Sequence, residues 1–415
     1  MKILLIHQYF LEKKDGGGSR FNEMTKNWSM NGHEVTVLAG MVHYATGKKI
    51  KRYKGKWTYS DKGFYPNVDV IRCHVSESYN LNFPGRLWAY FSFVFSSIWA
   101  GLFKTGRNYD VILVTSPPLF VGITAYVLSR LKRLPFIFEI RDLWPESAID
   151  TGVLSNKFII RFAFWFEQFI YRKATLINVL TPAFKVNLIK EKKVPPEKIV
   201  FIPNAADFPL SEKLMGTFNV EQFRKENELD DKFVITYVGA HGVANKLDQL
   251  IDAAEKLQDT NVLFLLIGAG MKKKELQSIV INRKIRNVKF IDSVPKEEVF
   301  KYILSSEMGA SVLKKADTFK TIYSNKTFDY MSCKKPVLLA IDGVSRQLIE
   351  NANCGYYVEP ENIDDIVLTI RRILREPERL TELGLNGYSF AKRYFDRNYL
   401  AQEYLKKIEN VISKE

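Results

Sequence analysis

The residue types best suited to binding a phosphate lie in the stretch 320–336, KTIYSNKTFDYMSCKKP. Ser324 or Asn325 can act as the N-cap of a short helix, which puts Lys326 in its first turn. A cation there is unfavourable because it opposes the helix dipole, and an anion in front of the helix would compensate for it. Free amides together with an ammonium bind phosphate without a metal. Asp329 follows one turn later on the same face, where it can hold a ribose hydroxyl. The alternative is an ordinary surface helix with a Lys326–Asp329 pair.

Two glycine-containing turns are predicted at the ends of buried strands in the same half of the chain. One follows Phe233–Val238 and reads GAHG over 239–242, and the other follows 262–267 and reads GAG over 268–270. A strand that leads through such a turn into a helix N-terminus can cradle a phosphate. We expect His241 to be exposed enough to donate to a phosphate oxygen, and a structural loop histidine is the alternative.

The N-terminal half begins with a strand at 2–6 and a loop that contains Gly16, Gly17 and Gly18, followed by a helix to about Met30 and another strand. This order is a βαβ unit of a nucleotide- or substrate-binding type. The glycines lack the spacing of a dinucleotide fingerprint, and no P-loop lysine follows them. They permit close approach of a ligand to the backbone, although a plain flexible connector has the same composition.

A cluster of charged residues follows the predicted strand Phe136–Ile140, in the sequence RDLWPES. Because ligands bind beyond the carboxyl ends of strands in an open parallel sheet, Arg141, Asp142 and Glu146 indicate a binding site. The alternative is a surface ion pair between Arg141 and one of the two carboxylates.

Two segments of the N-terminal half combine many aromatic residues with flanking cations. Residues 87–103 carry no charge but are slightly short for a membrane span, which needs about 20 residues. Contact with a membrane surface is the prediction, and a buried crossover helix is the alternative. Residues 156–173 mix bulky aromatics with lysines and arginines, which favours contact with an anionic lipid surface. The polar and aromatic residues 41–66 show no clear periodicity and are predicted to be irregular.

Length and composition limit the classes of protein that the chain can represent. Its 415 residues allow two domains of roughly 200 residues each, and a net charge of +15 indicates an anionic partner. The basic residues are dispersed and no nucleic-acid module is recognised. Three distant cysteines favour a reducing compartment, and the first residues predict a strand and not a signal peptide. No cluster with zinc-site spacing is present, so the sequence implies no metal.

The C-terminal half continues the alternation of strands and helices. Residues 208–232 are mostly polar and are predicted to form a linker before the second α/β domain. Helices are predicted at 363–375, 379–393 and 397–413, the last of them long enough to cross back onto the first domain.

These features together resemble the GT-B fold and the retaining, nucleotide-sugar-dependent glycosyltransferases of family 4. RDLWPES and YVGAHG look closest to the bacterial N-acetyl-L-fucosaminyltransferases of O-antigen and capsule assembly. The resemblance implies two Rossmann-like domains facing across a cleft, with 1–207 binding the acceptor, 208–396 binding the nucleotide sugar and helix 397–415 crossing back. The stretches that carry it are 16–18, 141–147, 203–207, 237–242, 268–270 and 324–336.

The resemblance also implies residue roles. The residues implied to be catalytic are Lys326, His241, Arg141, Asp142 and Glu146. Those implied to contact substrates are Gly16, Gly17, Gly18, Asn204, Gly239, Gly242, Lys246, Gly268, Val294, Lys320, Thr321, Ser324, Asn325 and Asp329.

The chain departs from the usual family pattern at several of the positions that carry charge. Ala240 and Asn245 stand where relatives have an arginine and a lysine in the phosphate loop, which leaves His241, Lys246 and Lys326 to supply the charge. The first of the family's paired glutamates falls on a threonine, so that Lys320 is a substitute partner for the transferred sugar. Where relatives often have a histidine beyond the first-domain strand, this chain has an arginine.

The reaction implied is the transfer of a sugar, such as N-acetyl-L-fucosamine, from a UDP-sugar to a polyprenyl-diphosphate-linked acceptor at the cytoplasmic face of a membrane. No cofactor, metal or nucleic acid is implied. Two other functions remain open at this point. They are a non-transferring GT-B enzyme such as a UDP-GlcNAc 2-epimerase, and a basic protein that binds a membrane surface or nucleic acid without catalysis.

Overall fold

The computed structural model describes residues 1–13, 20–43, 47–80, 83–150 and 154–413. They divide into two compact units, an N-terminal unit that ends at Pro203 and is joined by the chain from Asn398 onward, and a C-terminal unit over Asn204–Arg397. The predicted loop of Gly16, Gly17 and Gly18 lies outside the described residues.

Strands and helices alternate through both units. The strands are β1 (Lys2–His7), β2 (Glu34–Gly40), β3 (Thr58–Tyr65), β4 (Val68–Cys73), β5 (Val111–Ser116), β6 (Phe136–Ile140), β7 (Leu176–Val179), β8 (Ile199–Phe201), β9 (Phe233–Val238), β10 (Val262–Ile267), β11 (Val288–Ile291), β12 (Met308–Val312), β13 (Val337–Ala340) and β14 (Gly355–Tyr357). The helices are α1 (Arg20–Met30), α2 (Phe83–Phe103), α3 (Val121–Lys132), α4 (Glu146–Asp150), α5 (Lys157–Lys173), α6 (Pro182–Lys190), α7 (Phe208–Thr217), α8 (Val220–Glu226), α9 (Asp248–Lys256), α10 (Lys273–Asn282), α11 (Lys296–Leu304), α12 (Asn325–Ser332), α13 (Val344–Ala352), α14 (Ile363–Ile373), α15 (Arg379–Tyr394) and α16 (Arg397–Ile412).

The N-terminal unit is built on an eight-stranded sheet in the order β3-β4-β2-β1-β5-β6-β7-β8. All neighbouring pairs are parallel except β3 and β4 at one edge. The prediction that 41–66 is irregular was wrong, because this segment includes β3 and a short 3₁₀ turn with Tyr53 and Phe64 buried. An edge strand exposes most of its side chains, and this exposure hides the periodicity that a buried strand shows.

The C-terminal unit is built on a six-stranded parallel sheet in the order β11-β10-β9-β12-β13-β14. Residues 208–232, predicted as a linker, instead contain α7 and α8, and Phe208 and Leu214 are buried in the core of this unit. The prediction missed them because short helices with few apolar positions have weak periodicity.

The C-terminal helix α16 packs against the N-terminal unit, as predicted. The indole nitrogen of Trp28 donates to the carbonyl of Ala401 at 2.8 Å, and the Tyr404 ring stands edge-on to the indole. Helix α2 buries Ala89 and Phe93 while its opposite face is open to solvent. Among the helices of the described residues, none combines the length and the apolar character that crossing a membrane requires.

A buried ion pair ties the start of α1 to the sheet. Arg20 donates to both carboxylate oxygens of Glu139 on β6 at 3.1 and 3.0 Å, and also to the carbonyls of Ile202 and Pro203 after β8. Asn178 of β7 donates to the same carboxylate at 2.9 Å. No local pattern in the sequence indicates this network, since its members are far apart along the chain.

We expect Glu139→Ala to cost about 3–5 kcal/mol of the free energy of unfolding, because it leaves a buried guanidinium without its charge partner. Urea unfolding followed by circular dichroism measures the loss. The control is Asp259→Ala, which breaks an exposed pair with Arg371 and should leave the midpoint close to that of the wild type. Equal midpoints for the two variants would show that the network contributes nothing special.

Candidate active site

Helix α12 begins directly beyond the carboxyl edge of the C-terminal sheet. Ser324 is its N-cap residue, but its hydroxyl receives a 2.6 Å hydrogen bond from Ser311 of β12 and does not cap the first turn. Asn325, the first helical residue, accepts from the side chain of Asn204 at 2.6 Å. The first-turn amides are therefore left without a side-chain cap, as an anion site requires.

Lys326 lies half-buried in this first turn. Its ammonium lies 4.8 Å from the centre of the Tyr237 ring, a cation–π contact, and no carboxylate of the described residues lies within ion-pair distance of it. Burial lowers the pKa of Lys326 to about 8, although the nearby Asp329 raises it. The site thus holds a cation whose charge is not neutralised by an ion pair.

Asp329 is also half-buried, one turn after Lys326. Burial raises its pKa, while Lys296 and Arg397 act in the opposite direction. Since Lys326 and Asp329 do not form an ion pair, the alternative of an ordinary surface Lys–Asp pair is wrong.

The two glycine-containing turns pack directly on each other. Gly239 and Gly268 have φ of +147° and +144°, and a Cβ on Gly268 would lie 1.9 Å from the carbonyl oxygen of Gly239. The amide of Gly239 donates to Ile267 and that of His241 to Ala269, at 3.0 and 2.9 Å. Two of the four amides in the GAHG turn are therefore already used, and they are not available to a phosphate.

His241 does not have the exposure that the sequence predicted. Its exposed fraction is 0%, and its ring packs between those of Tyr237 and Phe290, with both nitrogens unpartnered in the part of the chain described. Burial and the charge of Lys273 lower the pKa of His241 to about 4. His241 is thus a neutral, structural loop histidine, which was the alternative reading, because the tight contact of the two turns directs its ring inward.

The other predicted lysines of the C-terminal unit are neutralised by neighbours. Lys246 pairs with Asp248, and Lys320 pairs with Asp317 at 2.9 Å. The Thr321 hydroxyl donates to the carbonyl of its neighbour Thr318 at 2.6 Å. Lys326 is therefore the predicted cation best placed to meet a ligand.

Val294, predicted to hold a nucleoside, is half-buried against the apolar cluster beneath β10. Lys273 was not predicted as a site residue, although the sequence shows a dense cluster at 272–274. Its ammonium donates to the carbonyls of Gly268 and Ile291 at 2.8 Å each and to Asp292 at 2.6 Å. It therefore fixes the ends of β10 and β11 relative to each other.

The charged cluster after β6 belongs to the N-terminal unit. A guanidinium nitrogen of Arg141 lies 3.4 Å from Nε2 of His7, at the end of β1. Burial, together with the carboxylate of Glu146, raises the pKa of Asp142 to about 6, although a hydrogen bond from Ser147 lowers it.

Glu146 pairs with Lys192, and the ammonium of Lys192 also contacts Glu167 at 2.7 Å. The carboxylate of Glu146 therefore holds α4 against α5 through a shared lysine. Its other carboxylate oxygen has no hydrogen-bond partner among the described residues, so the predicted contact of Glu146 with a substrate stays a prediction.

Among the described residues, no three or more histidine, cysteine or acidic side chains are grouped so that they could hold a metal ion.

Each half of the chain matches a known protein family. A model described as glycosyl transferase 4-like domain matches residues 15–205, and one described as glycosyl transferases group 1 matches 219–390. The chain is 22% identical to the putative colanic acid biosynthesis glycosyl transferase WcaI of Escherichia coli K12, over 98% of this chain and 100% of that protein.

Solved structures with the same fold cover both halves. Sucrose-phosphate synthase from Thermosynechococcus elongatus superposes with a TM-score of 0.75 at 15% identity, covering 100% of both chains. Anabaena HepE in complex with UDP-glucose gives a TM-score of 0.72 at 17% identity, covering 99% of this chain and 100% of that one. The two Rossmann-like units thus define the GT-B fold. The chain belongs to the glycosyltransferases of this fold and is similar to those of family 4.

We expect wild-type stability to fall as the pH is lowered from about 6.5 towards 4, because the unfolded chain binds a proton at His241 that the folded chain excludes. This histidine contributes about a tenfold change in the folding equilibrium per pH unit in that window. His241→Leu should remove that contribution and leave UDP binding within a few-fold of wild type. Urea midpoints across the pH range and calorimetric titration with UDP measure the two effects.

His43→Phe, at a half-buried histidine of the N-terminal unit, serves as the control and should keep the wild-type pH dependence. A loss of UDP binding in folded His241→Leu would instead mean that the ring contacts the nucleotide.

Proposed function

We propose that the chain transfers a sugar from a UDP-sugar to a lipid-diphosphate-linked acceptor, with retention at the anomeric carbon, in the synthesis of a cell-surface polysaccharide. The name of the relative WcaI supports the polysaccharide role. The resemblance of RDLWPES and YVGAHG to the N-acetyl-L-fucosaminyltransferases supports an N-acetylated amino sugar as the group transferred. Retention follows the resemblance to family 4.

One observation carries this proposal, namely the cation of Lys326, for which the described residues provide no ion-pair partner. It stands over an aromatic ring, beside an uncapped helix N-terminus at the carboxyl edge of a parallel sheet. Such an edge is where nucleotides bind in open α/β sheets. The complex of HepE with UDP-glucose supports a UDP-linked donor in a chain of this fold.

The chemistry requires stabilisation of a leaving group. Cleavage of the bond between the anomeric carbon and the phosphate oxygen leaves its electron pair on UDP, whose charge increases. The ammonium of Lys326 and the amides at the start of α12 stabilise that charge in the transition state. We assign no resident metal or cofactor, because the lysine and the helix supply the positive charge. The acceptor oxygen forms the new bond, and its proton passes to the departing phosphate.

The donor's nucleoside is assigned to the neighbouring backbone. Asp329, half-buried one turn beyond Lys326, is placed to accept from ribose hydroxyls. Gly268 and Val294 border the uracil, with Lys273 holding the two strand ends in register. The contacts of Gly268 and Val294 with the uracil depend on the backbone, whose geometry is set by the close packing of the Gly239 and Gly268 turns.

The acceptor is assigned to the N-terminal unit. Asp142 has a pKa of about 6 and is mostly ionised at neutral pH, so its carboxylate can accept from an acceptor hydroxyl. Arg141, fixed beside His7, can bind a phosphate or sugar oxygen. Glu146 supports these residues through Lys192.

An exposed aromatic surface on the same unit supports attachment to an anionic membrane, where a lipid-linked acceptor would be found. We name it the aromatic face, and its residues are Trp88, Phe95, Trp99 and Phe103 of α2 and Phe158, Phe162 and Trp165 of α5. Helix α3 packs against both helices. Lys104 lies 5.6 Å from the Trp99 ring, and Lys157 and Arg161 lie on the exposed side of α5. Aromatic rings bordered by cations favour the interface of an anionic bilayer.

We expect Lys326→Ala to lower transfer from UDP-sugar by about 10²–10³-fold, since one preorganised donor to the leaving group is lost. UDP binding by the wild type should weaken as the pH rises through about 8, where the free ammonium of Lys326 loses its proton. Lys326→Arg should keep UDP binding to higher pH, because a guanidinium stays charged. Initial rates and calorimetric titrations with UDP measure these effects.

Lys301→Ala, which removes a lysine from an intrahelical pair with Glu298, is the control and should leave both quantities unchanged. Turnover of folded Lys326→Ala within a few-fold of the wild type would overturn the assignment to the leaving group.

We expect the triple variant with Trp99→Ala, Phe158→Ala and Trp165→Ala to lose most sedimentation with vesicles that contain phosphatidylglycerol, because these rings supply the apolar contact. Its affinity for UDP should be unchanged. The control Tyr394→Ala removes an exposed aromatic of the C-terminal unit and should sediment like the wild type. Failure of the wild-type protein to sediment with these vesicles at low salt would exclude membrane attachment through the aromatic face.

A further inference from the structure

A flat pair of aromatic rings lies at the carboxyl edge of the N-terminal sheet. Trp57 precedes β3 and His74 follows β4, and their ring centres are 5.1 Å apart with an angle of 18° between the planes. Thr58 and Cys73 form the adjoining pair of the antiparallel ladder, and the amide of His74 donates to the carbonyl of Trp57 at 2.9 Å. The stack is therefore fixed by the end of the β3–β4 ladder.

The ring of His74 is held in place by polar neighbours. The ammonium of Lys49 lies 2.9 Å from Nδ1, and the backbone of Lys56 also interacts with the ring. An ammonium can only donate, so Nδ1 is the unprotonated nitrogen and the ring is neutral. The amide of Lys49 in turn donates to the Glu77 carboxylate at 2.9 Å. The indole therefore rests on a rigid and uncharged support.

Trp57 is nevertheless 46% exposed. Because His74 covers one face of the indole, the exposure belongs to the opposite face and the edge. A single exposed tryptophan is ordinary on protein surfaces. Trp57 differs because the ring beneath it is itself fixed by Lys49 and Lys56, and Lys49 is fixed by Glu77. A rigid aromatic platform binds a ligand at low cost in conformational entropy.

The position of the stack relates it to the proposed acceptor residues. His74 follows a parallel strand and so lies at the same edge of the sheet as His7 and Arg141. In the sheet order, β4 and β6 are separated by β2, β1 and β5. The strands of Arg141 and His74 are thus about 19 Å apart, but the guanidinium of Arg141 reaches His7 of β1, which is two strand spacings, or about 10 Å, from β4. This distance exceeds the width of one pyranose ring, so the sugar that meets Arg141 is not the one that stacks on Trp57.

We propose that Trp57, supported by His74, binds a pyranose ring of a saccharide acceptor at a unit distant from the one that receives the transferred sugar. The C–H face of a pyranose is apolar and slightly positive, and it matches the negative face of an indole. Its rim carries hydroxyls, for which the ammonium of Lys49 and the carboxylate of Glu77 offer a donor and an acceptor. The acceptor is accordingly an oligosaccharide. This inference rests on the proposed function.

The test follows the indole N–H signals of ¹⁵N-labelled protein while methyl pyranosides and tetrasaccharides of glucose, galactose and N-acetylglucosamine are added. The signal missing from Trp57→Leu identifies Trp57, and Trp88→Phe is the matched control for a tryptophan of the aromatic face. We expect the Trp57 signal to shift saturably with the sugars, more strongly with tetrasaccharides than with the matching monosaccharides, and to stay unchanged with phosphatidylglycerol vesicles. Trp57→Tyr should retain weakened binding of the sugars, detected by saturation-transfer difference signals.

A Trp57 signal that none of these sugars shifts overturns the inference, as does one that responds to vesicles alone. The measurement needs no transfer reaction, and UDP titration of the same samples reports on the donor site separately. A failure of the proposed function and a failure of this subsite are therefore distinguishable.

Discussion

The candidate site depends on one cation that no carboxylate of the described residues neutralises through an ion pair. Most lysines near the carboxyl edge of the C-terminal sheet pair with a carboxylate, as Lys246 and Lys320 do. Lys326 has instead the face of the Tyr237 ring, and Asp329 acts on it from beyond ion-pair distance. A half-buried ammonium in the first turn of a helix is unfavourable by itself, because burial and the helix dipole both oppose it. A bound anion would offset both unfavourable terms, so the start of α12 is expected to bind negative charge.

The close approach of two turns determines what surrounds that cation. The Gly239 turn can lie on the Gly268 turn only because neither residue has a side chain in the way. The same contact consumes two backbone amides and directs the ring of His241 into the core. His241, for which the flanking glycines predicted exposure, is therefore a buried core residue. The positive charge of the site depends on Lys326 and α12.

The N-terminal unit separates its polar and apolar surfaces. Arg20 and Glu139 join α1, β6 and the segment after β8 beneath the carboxyl edge, where Arg141 and Asp142 are found. The aromatic face lies on α2 and α5, and its exposed rings are different residues from the charged ones at these strand ends. This division of residues suits the proposed transfer of a sugar to a lipid-linked acceptor, since charged groups can bind the polar part of the acceptor and exposed rings can meet the bilayer.

The sequence alone determined the alternating α/β architecture, the strands with glycine turns at their ends, the helix that begins after Ser324 and the return of α16 to the first unit. These depend on local patterns, because apolar runs, glycines and caps act over a few residues. It also placed Lys326 in the first turn of its helix. Only the tertiary structure decided which cations stay unpaired, since Asp248 and Asp317 neutralise Lys246 and Lys320 by side-chain geometry. Contacts between distant segments likewise decided three other features. These are the burial of His241, the ion pair of Glu146 with Lys192 and the stacking of Trp57 on His74. Such contacts depend on how strands pair and turns pack, and no pattern within a short window of sequence encodes them.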